Sequence, residues 1–174
     1  MSDMENYTLR PIPGKELKTV MSFYQSYIGA PGCTWNQNYP NEEILQEDFL
    51  AGNLYGLYEG DKLIGSISVD SENYLDKLPC WQYKTNVKEI ARVVISSNHQ
   101  RQGSGTVLLE KLFALLKEHG TEAIHLLVSP NNERAIKLYS KFGFINRGLY
   151  FLYEHNFFAR EAKIGSIINV GVRR

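Results

Sequence analysis

Two periods of apolar residues divide the chain into strands and helices. Tyr7 to Ile12 alternates as a first strand and is closed by Pro13-Gly14. Leu17, Val20, Met21, Tyr24 and Ile28 recur at helical spacing between Lys15 and Ile28, and Gly29 supplies a stop. Residues 30–40 form a turn-rich loop that also holds Trp35 and Tyr39. Asn41 is predicted to cap a short acidic helix containing Glu42, Glu43, Ile44, Leu45 and Phe49. Two alternating runs flank Gly60-Asp61, which predicts a hairpin over residues 53–69. A polar stretch with Tyr74, Trp81 and Tyr83 continues to Lys88.

The second half is more regular. Glu89 to Ile95 (EIARVVI) reads as a β-branched strand. Ser104 to His119 reads as a helix with Leu108, Leu109, Leu112, Leu115 and Leu116 on its apolar face, ended by Gly120. Ile124 to Val128 is a nearly continuous apolar strand, as expected when both faces are covered. Asn132 to Lys141 reads as a helix turning Ala135, Leu138, Tyr139 and Phe142 inward, with Gly143 as its stop. One or two strands are expected between Phe144 and Phe158, and the tail from Lys163 to Arg174 reads as a frayed end or an edge strand. This order predicts an α/β (α+β) fold with helices on both faces of a mixed sheet. The helical crossover makes the strands at 89–95 and 124–128 parallel.

Composition narrows the class. A chain of 174 residues with 43% hydrophobic and 22% charged residues is one domain with an adequate core, which excludes disordered and collagen-like chains. The formal net charge is zero, against a general binder of nucleic acid or anionic membrane. That zero hides a split: residues 1–86 carry six bases and twelve acids, and residues 87–174 carry thirteen bases and seven acids. The split is compatible with a site having an acidic and a basic side. Cys33 and Cys80 match no disulfide framework or metal spacing, so reduced thiols and no metal are expected. The first ten residues lack a basic-then-apolar leader, and no apolar run reaches membrane length, so a cytoplasmic location without membrane association is expected.

The chemistry concentrates after the strand at 89–95. Residues Ser96 to Thr106 (SSNHQRQGSGT) join a strand to a helix N-terminus through a glycine-containing turn, an arrangement that presents backbone N–H groups to an anion. A dinucleotide fingerprint would need a third glycine where Leu108 stands, and a Gly-Lys-Ser/Thr phosphate loop is absent. A lone Gly-x-Gly pair is also compatible with a simple tight turn. Gln100-x-x-Gly103-x-Gly105, however, resembles the Q/R-x-x-G-x-G/A signature of the GNAT superfamily of acyl-CoA-dependent N-acetyltransferases. The segment 128–144 (VSPNNERAIKLYSKFGF) is similar to that superfamily's second hallmark, with an Asn, an Ala three residues on, a Leu-Tyr pair and a Gly-Phe in order. The specific likeness covers residues 87–147.

The resemblance implies a single domain over residues 1–163 with a tail at 164–174. Its central sheet is mixed, mostly antiparallel and twisted, with about six to seven strands and about four helices. It implies acetyl-CoA as cosubstrate. The backbone of Val93, Val94 and Ile95 would pair with the pantetheine arm in the manner of an added strand. Gln100 and the amides of Arg101, Gln102, Gly103, Ser104, Gly105 and Thr106 would hold the pyrophosphate. Asn132 and Ala135 would flank the coenzyme, and Tyr139 would protonate the departing thiolate.

The reaction needs an amine brought close to the thioester, a donor for the oxyanion and a base for the ammonium proton. Glu89 is the candidate base, because histone-acetylating members place a Glu similarly on this strand. A solvated residue at a strand start is the plainer reading of Glu89, and core packing is the plainer reading of Tyr139. The ribosomal-protein subgroup places a Glu twelve residues before its Tyr, where this chain has Leu127. His125, on a buried-looking strand, reads as a core residue. Strict alternation puts Glu89 and Arg92 on opposite faces. The acceptor walls in this fold are the loop at 29–40, with Trp35 and Tyr39, and the final strands, with Tyr150, Phe151, Tyr153, Phe157 and Phe158.

The resulting expectation is transfer of acetyl to a primary amine of a small molecule by direct attack. Acetylation of a protein N-terminus or lysine is the alternative within the same chemistry, and a non-catalytic acyl-CoA-binding module is the alternative of another class. Homodimers are common in the superfamily, so a homodimer is expected.

Overall fold

The computed structural model describes residues 6–71 and 74–165. Its strands are β1 (Tyr7–Pro11), β2 (Leu54–Glu59), β3 (Lys62–Asp70), β4 (Val87–Ile95), β5 (Ala123–Val128), β6 (Ile145–Leu152) and β7 (His155–Lys163). Its α-helices are α1 (Leu17–Tyr27), α2 (Glu42–Leu50), α3 (Ser104–Glu118) and α4 (Glu133–Lys141). The sheet runs in the order β1-β2-β3-β4-β5-β7-β6. Pairs β1/β2, β2/β3, β5/β7 and β6/β7 are antiparallel, and β4/β5 is parallel. The parallel pair β4/β5 is joined through α3, because a parallel connection needs a crossover long enough to hold a helix. Among the described residues, no helix is long and apolar enough to cross a membrane.

The chain divides into two compact units, and β4 and α3 each pass from one to the other. The first comprises residues 1–30, 35–69 and 92–111. Its core gathers Val20 and Tyr24 of α1, Leu45 of α2, Leu54 and Tyr58 of β2, Leu63 of β3 and Val94 of β4. The α2 cap follows the sequence reading: Asn41 Oδ1 accepts from the Ile44 amide at 2.9 Å, which satisfies one orphan donor of the first turn. The Tyr58 hydroxyl donates to Glu16 Oε1 at 2.7 Å, and Arg10 lies 3.7 Å over its ring.

Among the described residues, the second unit comprises 31–34, 70–71, 74–91 and 112–165. Phe113 meets Phe142 edge-on at 5.2 Å, and Tyr139 meets Phe144 at 5.6 Å. Phe113 is fully buried and Leu115 only half-buried, so the apolar stripe of α3 differs from the leucine-only pattern. The polar stretch before β4 is fixed rather than loose. Leu75 and Trp81 are buried, and the Trp81 ring stacks on His125 at 3.8 Å and 8°. The amides of Gln82 and Tyr83 donate to the two oxygens of Glu161.

Boundaries differ from the sequence reading where terminal residues carry no periodic signal. Residues Gly14–Glu16 form a 3₁₀ turn ahead of α1, and β4 begins at Val87. β7 continues to Lys163, because Ala159, Glu161 and Ala162 pair with β5 and are buried there. The tail reading falls almost wholly on residues 166–174, which lie outside the described residues.

Candidate active site

In the first unit, the glycine turn predicted to bind pyrophosphate follows β4. A 3₁₀ turn at Ser97–His99 leads into left-handed Arg101 (φ 64°) and Gly103 (φ 81°), and α3 starts at Ser104. A Cβ at Gly103 would meet nothing within 4 Å, so the glycine serves the backbone conformation rather than internal space. The opening amides of α3 have no helical partner, the usual basis of an anion cradle. Ser104 Oγ is buried and has no hydrogen-bond partner among the described residues. A turn of this shape with an orphaned hydroxyl fits a phosphate group. Gln100 Nε2 donates to the carbonyl of Ile95 at 3.1 Å and ties the turn to the strand end. Val94 is buried and Val93 and Ile95 are half-buried. A Cβ at Gly65 of β3 would come 2.7 Å from Ile95 Cδ1 and 3.0 Å from the Val94 carbonyl oxygen.

Arg92, just before these residues, is the feature that the pattern reading missed. It is a left-handed residue inside a strand (φ 51°), which interrupts the strict alternation that opposed it to Glu89. Its Nε and Nη2 donate to both oxygens of Asp48 at 2.9–3.1 Å, and Nη1 donates to the Tyr39 hydroxyl at 2.9 Å. Ser68 Oγ adds a 2.7 Å bond to Asp48. Burial opposes the charge on Arg92, but Tyr39 and Asp48 outweigh it and hold the guanidinium more firmly protonated than usual. Neighbouring Tyr24 is pushed up to about 12, mainly by burial. The sequence held one signal for the pair: Asp48 recurs three residues after inward Leu45 on a short helix.

Trp35 and Tyr39, both expected at the acceptor wall, have unlike surroundings. The Trp35 ring packs edge-on against Tyr24 (5.4 Å) and Tyr27 (4.9 Å), beside the core. Tyr39 is 40% exposed, with its hydroxyl on Arg92.

Glu89, Asn132, Ala135 and Tyr139 belong to the second unit. Glu89 is half-buried and in register with His125 of β5, which is in register with Glu161 of β7. His125 is 1% exposed and its Nε2 lies 2.7 Å from Glu161 Oε2, so it is a packed, paired histidine as expected. Arg147 Nε donates to the other oxygen at 2.9 Å. Burial works to raise the Glu161 carboxyl, but the amides of Tyr83 and Gln82 and the His125 contact outweigh it and hold it below the usual value. Asn132 caps α4, its Oδ1 accepting from the Ala135 amide at 3.1 Å. Gly32 (φ 78°) lies against that cap, and a Cβ there would stand 2.4 Å from Asn132 Cα. Tyr139 is buried at 8% exposure. Of the expected aromatic wall on the final strands, Phe151 and Tyr153 are exposed, while Tyr150, Phe157 and Phe158 are half-buried.

Comparison with known proteins bears on the family and the fold. The Acetyltransferase (GNAT) family matches residues 20–144. A Salmonella typhimurium protein, YncA, solved with its cofactor acetyl-CoA, is 16% identical with a TM-score of 0.70, over 91% of this chain and 94% of that one. A spermidine N-acetyltransferase chimera with Vibrio cholerae sequence is 17% identical with a TM-score of 0.71, over 94% and 99%. The ribosomal-protein-S18-alanine N-acetyltransferase of Escherichia coli is 18% identical with a TM-score of 0.65, over 91% and 94%. The family match spans well over half of the chain and includes both motif segments, so this protein belongs to the GNAT acetyltransferase family, whose members use acetyl-CoA, and is an N-acetyltransferase.

Proposed function

We propose that the enzyme transfers acetyl from acetyl-CoA directly to the primary amine of a small molecule within a ternary complex. The observation that carries the coenzyme half is the turn between β4 and α3, with left-handed Arg101 and Gly103 beside the orphaned Ser104 hydroxyl. The amides of Arg101–Thr106 hold the pyrophosphate, and Gln100 holds the turn. The backbone of Val93–Ile95 bonds the amides of the pantetheine arm. Asn132, which also caps α4, and Ala135 flank the coenzyme.

Acetyl-CoA supplies the thioester carbon that the amine attacks. Glu89 takes the proton from the ammonium form and leaves a neutral nitrogen nucleophile. As the carbon–nitrogen bond forms and the carbon–sulfur bond breaks, Tyr139 gives its proton to the sulfur, and the second proton lost by the nitrogen restores the phenol through solvent. Trp35 and Tyr39 contribute to the acceptor wall. We further propose that the enzyme works in the cytoplasm as a homodimer. Exposed Ile145, Leu149 and Phe151 on β6, the last strand of the sheet, support association at that edge.

The test is free thiol release from acetyl-CoA with a panel of polyamines, amino acids, amino amides, aminoglycosides and peptides. Turnover of a small amine at least tenfold above every peptide is the expected result. A peptide as best acceptor overturns the small-molecule assignment, and CoA binding without turnover of any acceptor overturns the catalytic one.

A further inference from the structure

Tyr39 is held in an unusual way for a half-exposed phenol. Its oxygen accepts from a guanidinium, and that guanidinium is locked from behind. Arg92 grips both oxygens of Asp48, which is 7% exposed, and Ser68 bonds the same carboxylate. A guanidinium has only donors, so it cannot accept the Tyr39 proton. The hydroxyl must therefore point its proton away from Arg92. The cation behind the oxygen polarises the O–H bond and makes it a stronger donor. Asp48 cancels the charge of Arg92, so the surface offered at Tyr39 is a directed donor and not a net cation.

We propose that Arg92 is a positioning residue that orients Tyr39, and that Tyr39 donates its proton to a carbonyl or carboxyl oxygen near the reacting amine of the acceptor. This inference rests on the acetyltransferase reading above, and it names the acceptor class as amines bearing such an oxygen. Unsubstituted alkylamines of the same shape leave the Tyr39 proton without a protein-matched partner. They are poorer acceptors by about the value of one charge-assisted hydrogen bond, roughly tenfold.

The test compares matched acceptors, leucinamide against 3-methylbutylamine and other pairs of the same design, in the unsubstituted enzyme, Tyr39→Phe, Arg92→Lys and the double variant. The expected result is a loss of about tenfold in kcat/KM for the oxygen-bearing member in Tyr39→Phe, carried mainly by KM, and a several-fold smaller loss for its alkyl partner. Arg92→Lys keeps the charge and loses the fork, so it should show the same selective loss. The double variant should lose no more than either single one. A merely structural role moves both members of each pair equally, which overturns the inference. So does a Tyr39→Phe enzyme with unchanged KM, or preference for the alkyl members. Absence of turnover by the unsubstituted enzyme with any amine overturns the acetyltransferase reading and this inference together. Turnover indifferent to Tyr39→Phe overturns this inference alone.

Discussion

Glu161→Gln offers a direct test of how the second unit is held. The Glu161 side chain is fully buried, and each of its oxygens takes one backbone amide and one ionisable side chain. Oε1 receives Gln82 N (3.1 Å) and Arg147 Nε (2.9 Å), and Oε2 receives Tyr83 N (3.0 Å) and faces His125 Nε2 (2.7 Å). A glutamine keeps one accepting oxygen and replaces the other with an NH₂ group. One backbone amide then faces a donor, and Arg147 loses its buried countercharge. Breaking one side of a buried pair costs about 3–5 kcal/mol. With 174 residues, an unfolding entropy of roughly 2.1 cal/mol/K per residue turns that loss into a fall in Tm of about 8–14 °C. Calorimetry at neutral pH measures it. The pH dependence adds a second reading. The Glu161 carboxyl is held below its ordinary value of 4.5. Its contribution is therefore complete above that pH and is lost as the pH falls through the lowered folded-state value. The gap between the two proteins should narrow in that acid range. A fall in Tm of less than 3 °C, or a gap that stays constant below pH 4.5, would refute the reasoning.

Other outcomes follow from the same geometry. Tyr139→Phe should lower kcat by about 10²-fold or more with little change in KM for acetyl-CoA, read by steady-state kinetics. Glu89→Gln should lower kcat/KM at neutral pH and recover as the pH rises and free amine accumulates, so a flat ratio between the two enzymes across pH 7–10 argues against its role as base. Gly32→Ala drives a Cβ into the backbone of Asn131 and Asn132 at a left-handed residue and should cost about 1–3 kcal/mol, with a higher KM for acetyl-CoA. Phe151→Glu should shift the molecule to monomer in light scattering without altering its circular dichroism.

The legible parts of the sequence are those with a local physical cause. The α2 cap is written in Asn41, the α3 and α4 stops in Gly120 and Gly143, and the β2–β3 hairpin in Gly60-Asp61. The glycine turn was readable because Gly103 adopts left-handed backbone directly before the start of α3. What was not legible depends on partners far apart in the chain. Arg92 and Asp48 are separated by 44 positions, and the helical spacing of Asp48 from Leu45 does not name its partner. Glu161 and the polar stretch it fastens at Gln82 and Tyr83 are 78–79 positions apart.

The central claim is acetyl transfer to an amine by this chain's own residues. It is tested most directly by following CoA thiol release and acetylated product together, with acetyl-CoA and the amine panel, for the unsubstituted enzyme beside Tyr139→Phe. One acetylated amine formed per CoA released, with the rate lost in Tyr139→Phe while CoA still binds, is the predicted result. CoA binding without product from any amine, or a rate indifferent to Tyr139→Phe, would contradict it.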